Sequence, residues 1–207
     1  GATETQVDTV RSNKRGLGHW PWGMWQGHDY KNPQKSFGFG RTFIAIDLKT
    51  QKVIWNHSER EFIDSRGVCM RNGRIFYFCP QKFLAGLDTA TGKPAWKNSD
   101  KNLLDAIGPN NRAQHYVTGY ATTTYIKCND GHIFFAGPQR SRLVCASTKD
   151  GGLLWQKPNG NLQLVLRDDG LYTAGPSSTG AKLDYATGRE LSKMPTRRAC
   201  TRATGSI

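Results

Sequence analysis

A chain of 207 residues that is 37% hydrophobic and 22% charged has the composition of a folded globular protein, which excludes a disordered chain. No apolar run approaches the roughly 18 residues that a membrane-spanning helix needs, so the sequence predicts no membrane span. The formal net charge of +13 favours encounter with acidic partners but carries no information about the fold.

The composition favours an all-β protein. The sequence contains 23 glycines and 9 prolines, which imply many turns, and its 11% aromatic residues suit the pleated surface of a sheet. No long stretch has the apolar period of a helix, and the sequence predicts at most one short helix, from Asn102 to Ile107.

Residues 1–41 are predicted to be a separate extension or loop, because they share no pattern with the rest of the chain. Their aromatic and histidine side chains include His19, Trp20, Trp22, Trp25 and His28. One interpretation is a long loop that packs over one end of the domain. A second is a lid whose three tryptophan rings stack on a ligand. A third is a metal site formed by the two histidines with His115 or His132.

One pattern recurs four times in the remainder of the chain. The copies read AIDLKTQKVIW (45–55), GLDTATGKPAW (86–96), CASTKDGGLLW (145–155) and KLDYATGRELS (182–192). Each has an apolar strand, a turn related to Asp-x-x-Thr-Gly, and a second strand that ends in Trp, or in Ser192 in the last copy. Recurrence at this spacing predicts repeated structural units.

Each residue type of the motif has a physical reason. The aspartates can hold the turn by accepting hydrogen bonds from backbone N–H groups further along. The glycines supply the positive φ that closes a hairpin, and Gln51 in that place is expected to reduce stability. The tryptophans are predicted to pack between neighbouring sheets. The motif positions are Asp47, Thr50, Trp55, Asp88, Thr91, Gly92, Trp96, Gly151, Trp155, Asp184, Thr187 and Gly188.

A second hairpin precedes three of the four copies. Asn72-Gly73, Asp130-Gly131 and Asp169-Gly170 each separate two apolar runs, and such dipeptides are strong hairpin signals. Each unit therefore reads as four antiparallel strands, which is one propeller blade. An insertion rich in Asn, Gln and His, roughly residues 100–120, lengthens the third unit. Insertions in repeat proteins often lie on the binding face.

The predicted fold class is an all-β propeller of four-stranded antiparallel blades, with about four blades visible over residues 42–207. A closed propeller needs about 4–8 blades. An open arc would expose sheet faces to water, so we expect these blades to be part of a larger ring.

The run GLDTATGKPAW resembles the blade motif of propellers of the pyrroloquinoline-quinone-like (PQQ-like) repeat family. The resemblance covers about three quarters of the chain, from Phe43 to Ser192. It implies the propeller fold and an architectural role for the motif positions. The family includes quinoprotein alcohol dehydrogenases, which bind PQQ and calcium. It also includes outer-membrane assembly lipoproteins, which use the propeller to bind proteins without a cofactor.

The quinoprotein dehydrogenases carry a vicinal disulfide beneath PQQ, and this sequence has no adjacent cysteines. Its five cysteines are Cys69, Cys79, Cys128, Cys145 and Cys200, without a Cys-x-x-Cys spacing. Cys69 and Cys128 occupy nearly equivalent places, in the strands before two of the hairpin turns. Neighbouring blades could bring them close together, as a bonded or an unbonded pair.

Three functional hypotheses follow. The leading one is a non-catalytic propeller module of a larger extracytoplasmic, periplasmic bacterial protein that binds a protein partner, including further blades of the same propeller, or a small ligand. The second is a quinoprotein-like oxidoreductase that holds PQQ between Trp20, Trp22 and Trp25, with calcium. The third, polyanion or nucleic-acid binding, rests on the net charge alone and ranks last.

Overall fold

A computed structural model describes residues 39–64, 67–108, 125–137, 140–175 and 180–194. The strands in these ranges are β1 (Phe39–Ile46), β2 (Val53–Asp64), β3 (Val68–Arg71), β4 (Arg74–Cys79), β5 (Phe83–Asp88), β6 (Pro94–Asn98), β7 (Tyr125–Cys128), β8 (His132–Ala136), β9 (Arg142–Ser147), β10 (Leu153–Pro158), β11 (Gln163–Arg167), β12 (Gly170–Ala174), β13 (Ala181–Leu183) and β14 (Glu190–Lys193). A short helix, α1, spans Lys101–Ile107.

The strands form four antiparallel sheets in chain order, which we call blades 1 to 4. Blade 1 is the pair β1–β2, and blades 2, 3 and 4 are the four-stranded sheets β3–β6, β7–β10 and β11–β14. Within each sheet every strand pairs with the next one along the chain. The predicted fold class, an all-β propeller of four-stranded antiparallel blades, is therefore confirmed.

Hairpin turns separate the first two strands of blades 2, 3 and 4. Asn72 and Gly73 have φ of 47° and 68°, and a two-residue turn that follows the twist of the strands needs two such positive values. In blade 4 the turn lies one residue earlier than predicted. Gly170 already pairs with Arg167, so Asp168 and Asp169 are the two turn residues.

The predicted short helix is present and begins one residue earlier, at Lys101. Asp100 caps its N-terminus, because the Asp100 side chain accepts hydrogen bonds from the backbone N–H groups of Asn102 at 2.7 Å and Leu103 at 3.1 Å. Leu103 and Ile107 are buried, and the helix contacts β9 and β10 of blade 3. No helix of the described ranges has the length and apolar character needed to cross a membrane.

Apolar side chains of the middle strands fill the spaces between successive blades. Alternation along β4 places Phe76 and Phe78 in the core shared with blade 3, and Tyr77 in the core shared with blade 1. Blades 3 and 4 share a third core, in which Phe134 packs near Leu183. Packing of each sheet on the next is the arrangement of propeller blades.

The predicted boundary between an N-terminal extension and the blades, at residue 41, stays a prediction. Residues 1–38 lie outside the described residues, and the same holds for residues 109–124, which include most of the predicted insertion.

Candidate functional site

Aspartate side chains hold the turns of the repeated motif. In blade 2, Asp88 Oδ1 accepts hydrogen bonds from the backbone N–H groups of Ala90 and Thr91 and from the Thr91 hydroxyl, each at 3.0 Å. The bonds from Thr91 are the main cause that keeps the pKa of Asp88 below its usual value. Asp47 and Asp184 accept corresponding bonds from Thr50 and Thr187.

A tryptophan from each of blades 1, 2 and 3 reaches the motif turn of the next blade. Trp96 of blade 2 donates a hydrogen bond from Nε1 to the backbone carbonyl of Thr148 at 3.0 Å, and its ring lies against Gly151. We call this pair of contacts the interblade latch. The other latches join Trp55 to Thr89 and Gly92, and Trp155 to Tyr185 and Gly188.

The motif glycines therefore have two functions, of which the sequence predicts one. Gly151 has φ of 74°, as the hairpin requires. In addition, a Cβ atom on Gly151 would lie 2.6 Å from the nearest ring atom of Trp96. The corresponding distance is 2.5 Å between Gly92 and Trp55 and 2.8 Å between Gly188 and Trp155. Glycine is thus needed for the indole to approach the backbone of the next blade.

The first and the last of the described blades each lack one residue of the latch. Gln51 takes the glycine place in the blade 1 turn, with φ of 56°. Ser192 takes the tryptophan place in β14 of blade 4, where it pairs with Lys182. The blade 1 turn therefore lacks the glycine that receives an indole, and blade 4 lacks the indole that would reach a further turn.

Replacing Gln51 by Gly is expected to raise the free energy of unfolding by about 0.5–1 kcal/mol, because the left-handed conformation is unfavourable for a residue with a Cβ atom. Equilibrium urea denaturation of the purified chain measures the change. Lys52→Gly is the matched control, since the neighbouring residue has no positive φ. It should leave stability unchanged or lower it. Equal effects of the two substitutions would contradict this explanation.

Blade 1 exposes apolar side chains on the side that faces away from blade 2. Ile44 and Ile46 of β1 are 54% and 51% exposed, and Val53, which pairs with Ile46, is 57% exposed. We call these three residues the leading face. Trp55 pairs with Ala45, whose side chain points to the other side of the sheet, where blade 2 lies. The leading face has no cover among the described residues.

The opposite outer surface, on blade 4, carries charged and hydroxyl groups, with Lys182 and Val165 on either side of Tyr172. The side of blade 4 that faces away from blade 3 includes Tyr172 and Lys182. The equivalent residues of blade 3, Phe134 and Cys145, are buried. Lys182 Nζ lies 2.7 Å from Asp169 Oδ2 and 5.5 Å from the Tyr172 ring centre, and the Tyr172 hydroxyl donates to Asp169 at 2.8 Å. These charged and hydroxyl groups suit contact with water, which the leading face does not.

A polar network joins blade 1 to blade 2 and was not found by sequence reasoning. Its centre is Glu59 of β2, whose side chain is 8% exposed. Glu59 accepts a hydrogen bond from the Tyr77 hydroxyl at 2.6 Å, and Lys97 Nζ lies 2.7 Å from its second oxygen. His57 Nε2 lies 3.1 Å from the carboxylate. Tyr77 and Lys97 lie 18 and 38 residues from Glu59 in the sequence, so no local pattern could indicate these contacts.

Burial and hydrogen bonding act in opposite directions on the Glu59 carboxylate. Burial raises the pKa of Glu59, but hydrogen bonds from Lys97, Tyr77 and His57 more than offset it and lower the pKa below its usual value. The Tyr77 hydroxyl is buried beside this carboxylate, and both conditions raise the pKa of Tyr77. The network is therefore a charged carboxylate with hydrogen-bonding side chains around it, which stabilises the contact between the two blades.

The residues proposed for PQQ, Trp20, Trp22 and Trp25, lie outside the described residues. Calcium takes six to eight oxygen ligands. Over the described ranges no group of three or more His, Cys, Asp and Glu residues is placed to hold a metal ion. His132, named in the histidine hypothesis, stacks on Tyr185 with ring centres 5.8 Å apart, and burial lowers its pKa.

Comparisons with solved structures reveal similar propellers. BamB from Moraxella catarrhalis is 16% identical, with a TM-score of 0.47 over 73% of this chain and 46% of that chain. The chain thus spans less than half of that BamB. The computationally designed Ika8 protein is 11% identical, with a TM-score of 0.51 over 81% of this chain and 51% of that chain. A europium-containing methanol dehydrogenase is 16% identical, with a TM-score of 0.39 over 62% and 23%.

The likeness to Ika8 supports the fold alone. No curated protein matches the chain. A family model does match, and it is described as outer membrane protein assembly factor BamB. It covers residues 37–161, which is more than half of the chain and includes the motif turns of blades 1, 2 and 3 and the latches formed by Trp55 and Trp96. The chain therefore belongs to the PQQ-like repeat family of the outer membrane protein assembly factor BamB.

Proposed function

We propose that the chain is a non-catalytic, protein-binding propeller module that works outside the cytoplasm of a bacterium, as part of a larger protein or assembly. The family of an outer membrane assembly factor supports both the location and the protein-binding role. The proposed partner is a further β-sheet of propeller-blade type, and the proposed contact surface is the leading face formed by Ile44, Ile46 and Val53.

The observation that carries this proposal is the burial of the same positions in the other blades. Ile44 corresponds to Ala85, Val144 and Ala181, and Ile46 corresponds to Leu87, Ala146 and Leu183. Each of these six equivalents is at most 6% exposed, whereas both isoleucines are about half exposed. The exposure of blade 1 therefore departs from the pattern of its own repeats.

The equivalents also indicate what kind of surface covers these positions. Ala85 and Leu87 pack in the core shared with blade 1, and Ala181 and Leu183 pack in the core shared with blade 3. In every case the position faces the preceding blade. The chemistry that fits Ile44 and Ile46 is therefore the apolar strand face of a blade that would precede blade 1.

The turn of blade 1 further defines this partner. A latch brings an indole ring close to a turn glycine, and Gln51 has a side chain where the ring would lie. The partner sheet is thus expected to dock through apolar strand contacts without a latch tryptophan. The polar cluster of Asp169, Tyr172 and Lys182 on blade 4 is a poor complement to isoleucines, which favours a separate partner over blade 4 of the same chain.

Site-specific photo-crosslinking in the producing bacterium tests the proposal. A photoreactive phenylalanine analogue at position 46 should link to a strand peptide of a propeller blade, identified by mass spectrometry, whereas the analogue at position 182 of blade 4 should not. Links from position 46 to the same residue of a second copy would instead indicate self-association. Links to lipid alone, or equal labelling from both positions, would overturn the proposal.

Replacing Ile46 by Glu is expected to abolish the blade crosslink from a photoreactive residue at position 44, because a carboxylate would be buried in the apolar contact. The substitution should change the free energy of unfolding of the isolated chain by no more than about 0.5 kcal/mol, since Ile46 is exposed. Leu87→Glu, at the equivalent buried position, is the control and should prevent folding. An unchanged crosslink in a folded Ile46→Glu protein would argue against the leading face as the contact.

A further inference from the structure

Two cysteines lie on the facing sides of neighbouring blades, because Cys69 pairs with Phe76 and Cys128 pairs with Ile133, and both partners belong to the core between blades 2 and 3. Cys69 is in β3, the first strand of blade 2, and Cys128 is in β7, the first strand of blade 3. The two strands contact each other across the boundary between the blades. Both side chains are half-buried and pack against the same hydrophobic core. The fold therefore brings together two thiols that are far apart in sequence.

Each of the two thiols affects the pKa of the other. A hydrogen bond from Cys69 lowers the pKa of Cys128, and the nearby Arg71 guanidinium lowers it further. The same contact and burial raise the pKa of Cys69, which keeps its proton. Two residues after each cysteine in the chain, Arg71 Nε lies 2.5 Å from Asp130 Oδ1, so an ion pair lies close to the two cysteines. Cys128 is thus favoured as the thiolate and Cys69 as the donor.

We propose that Cys69 and Cys128 form a reversible disulfide that links blade 2 to blade 3. The oxidant is an external disulfide, either a low-molecular-weight one or that of a thiol oxidoreductase. Cys128 loses its proton to solvent, and its thiolate attacks one sulfur of the external disulfide, which forms a mixed disulfide and releases a thiolate that takes up a proton. Cys69 then loses its proton and attacks Cys128 Sγ, which forms the intrachain bond and releases the second thiol. Two electrons and two protons pass to the external disulfide.

Other chemistry fits the pair less well. Structural zinc takes four ligands, and the described residues contain no group of three or more His, Cys, Asp and Glu placed to hold a metal ion. The other described cysteines are not placed for bonding. Cys79 donates to the Phe62 carbonyl at 3.2 Å and burial raises its pKa to about 12, while burial also raises the pKa of Cys145. A bond between Cys69 and Cys128 would close a long loop that contains α1.

The test is oxidation of the full reduced chain with oxidised glutathione, followed by alkylation of free thiols and tryptic mapping. The expected product joins the peptide of residues 67–71 to that of residues 128–140, with loss of two alkylated thiols. The melting temperature should rise by about 10 °C, as expected for closure of a long loop. Dithiothreitol should reverse the rise. This experiment is independent of the proposed partner binding.

Single-cysteine variants test whether Cys128 reacts with the external disulfide before Cys69 does. The result does not depend on how stable the disulfide between the two cysteines is. In Cys69→Ser the second step is impossible, so a glutathione adduct should accumulate on Cys128. In Cys128→Ser little adduct should form on Cys69, because burial still raises the pKa of this thiol. Cys145→Ala serves as a control and should form the same linked peptide as the unchanged chain. Stable glutathione adducts on both cysteines of the unchanged chain, or bonds of either one to Cys200 instead, would overturn the proposal.

Discussion

Replacing Trp96 by Ala is expected to lower the free energy of unfolding by about 3–5 kcal/mol, the range for removal of a large aromatic side chain from a packed position. The indole stacks on Phe76 at 5.9 Å between ring centres and packs against Gly86 and Gly151. It also donates the hydrogen bond to Thr148 that joins blade 2 to blade 3. Urea denaturation followed by circular dichroism measures the loss.

Two further variants separate the components of this latch. Trp96→Phe keeps an aromatic ring but loses the hydrogen bond to Thr148, so it should cost about 1–2 kcal/mol. Gly151→Ala introduces a Cβ atom 2.6 Å from the indole at a residue with φ of 74°, so it should be strongly destabilising when Trp96 is present.

A double-mutant cycle then tests whether the two residues act as one contact. In the Trp96→Ala background, Gly151→Ala should cost only the penalty of its positive φ, about 1–2 kcal/mol, because the clash with the ring is gone. Strict additivity of the two substitutions would show that the glycine is needed for turn geometry alone. It would contradict the interblade latch.

The turns and strands that depend on residues close together in the sequence could be predicted from it. The Asn72-Gly73 turn and the Asp88 turn depend on residues within a few positions of one another, and the strands between them alternate with a period of two. Local preference and spacing therefore identified the blades. The one-residue difference at Asp169 shows the limit, since an Asp-Asp-Gly run allows two turn positions and pairing with Arg167 selects one.

Features between the blades were not predictable to the same degree. The sequence indicated that Trp96 packs between sheets, but not that its ring requires the absence of a Cβ atom on Gly151. The leading face was also missed, because Ile44 and Ile46 look like ordinary core residues of a strand. The structure shows that they are exposed, and comparison with their buried equivalents shows that this exposure is unusual for the repeat. Such contacts depend on the register between blades, which no single repeat contains.

The blade boundaries therefore use three different kinds of contact. A latch is present at every boundary among the four blades, and Trp55 forms the one between blades 1 and 2. The charged network of Glu59 also joins blades 1 and 2. The thiol pair of Cys69 and Cys128 lies between blades 2 and 3. A latch contains no group that titrates or is oxidised, so its strength does not depend on pH or redox state. The Glu59 network would make the stability of the first boundary depend on pH, and the thiol pair would make that of the second depend on redox state.

The network at the first boundary carries the last prediction, that Glu59→Ala should lower the free energy of unfolding by about 2–3 kcal/mol at neutral pH. The buried Tyr77 hydroxyl would lose its acceptor, and Lys97 would lose its ion pair. Because Lys97 is partly exposed, its share of the loss is the smaller one. Glu59→Gln is the control, since its amide oxygen can still accept from Tyr77 while the charge is removed. It should cost about 1 kcal/mol.

The pH dependence of the free energy of unfolding separates the contribution of the Glu59 charge from that of the packing and hydrogen bonding of its side chain. The pKa of Glu59 is lowered in the folded chain, so the carboxylate contributes stability above its unfolded pKa of about 4.3, and this contribution is lost as pH falls through the folded pKa. The stability difference between the unchanged chain and Glu59→Gln should therefore shrink as the pH is lowered from 7 to below 4. Lys97, His57 and Tyr77 are common to both proteins. Urea denaturation across this range measures the difference, and a gap that stays constant with pH would show that the Glu59 charge does not stabilise the boundary between blades 1 and 2.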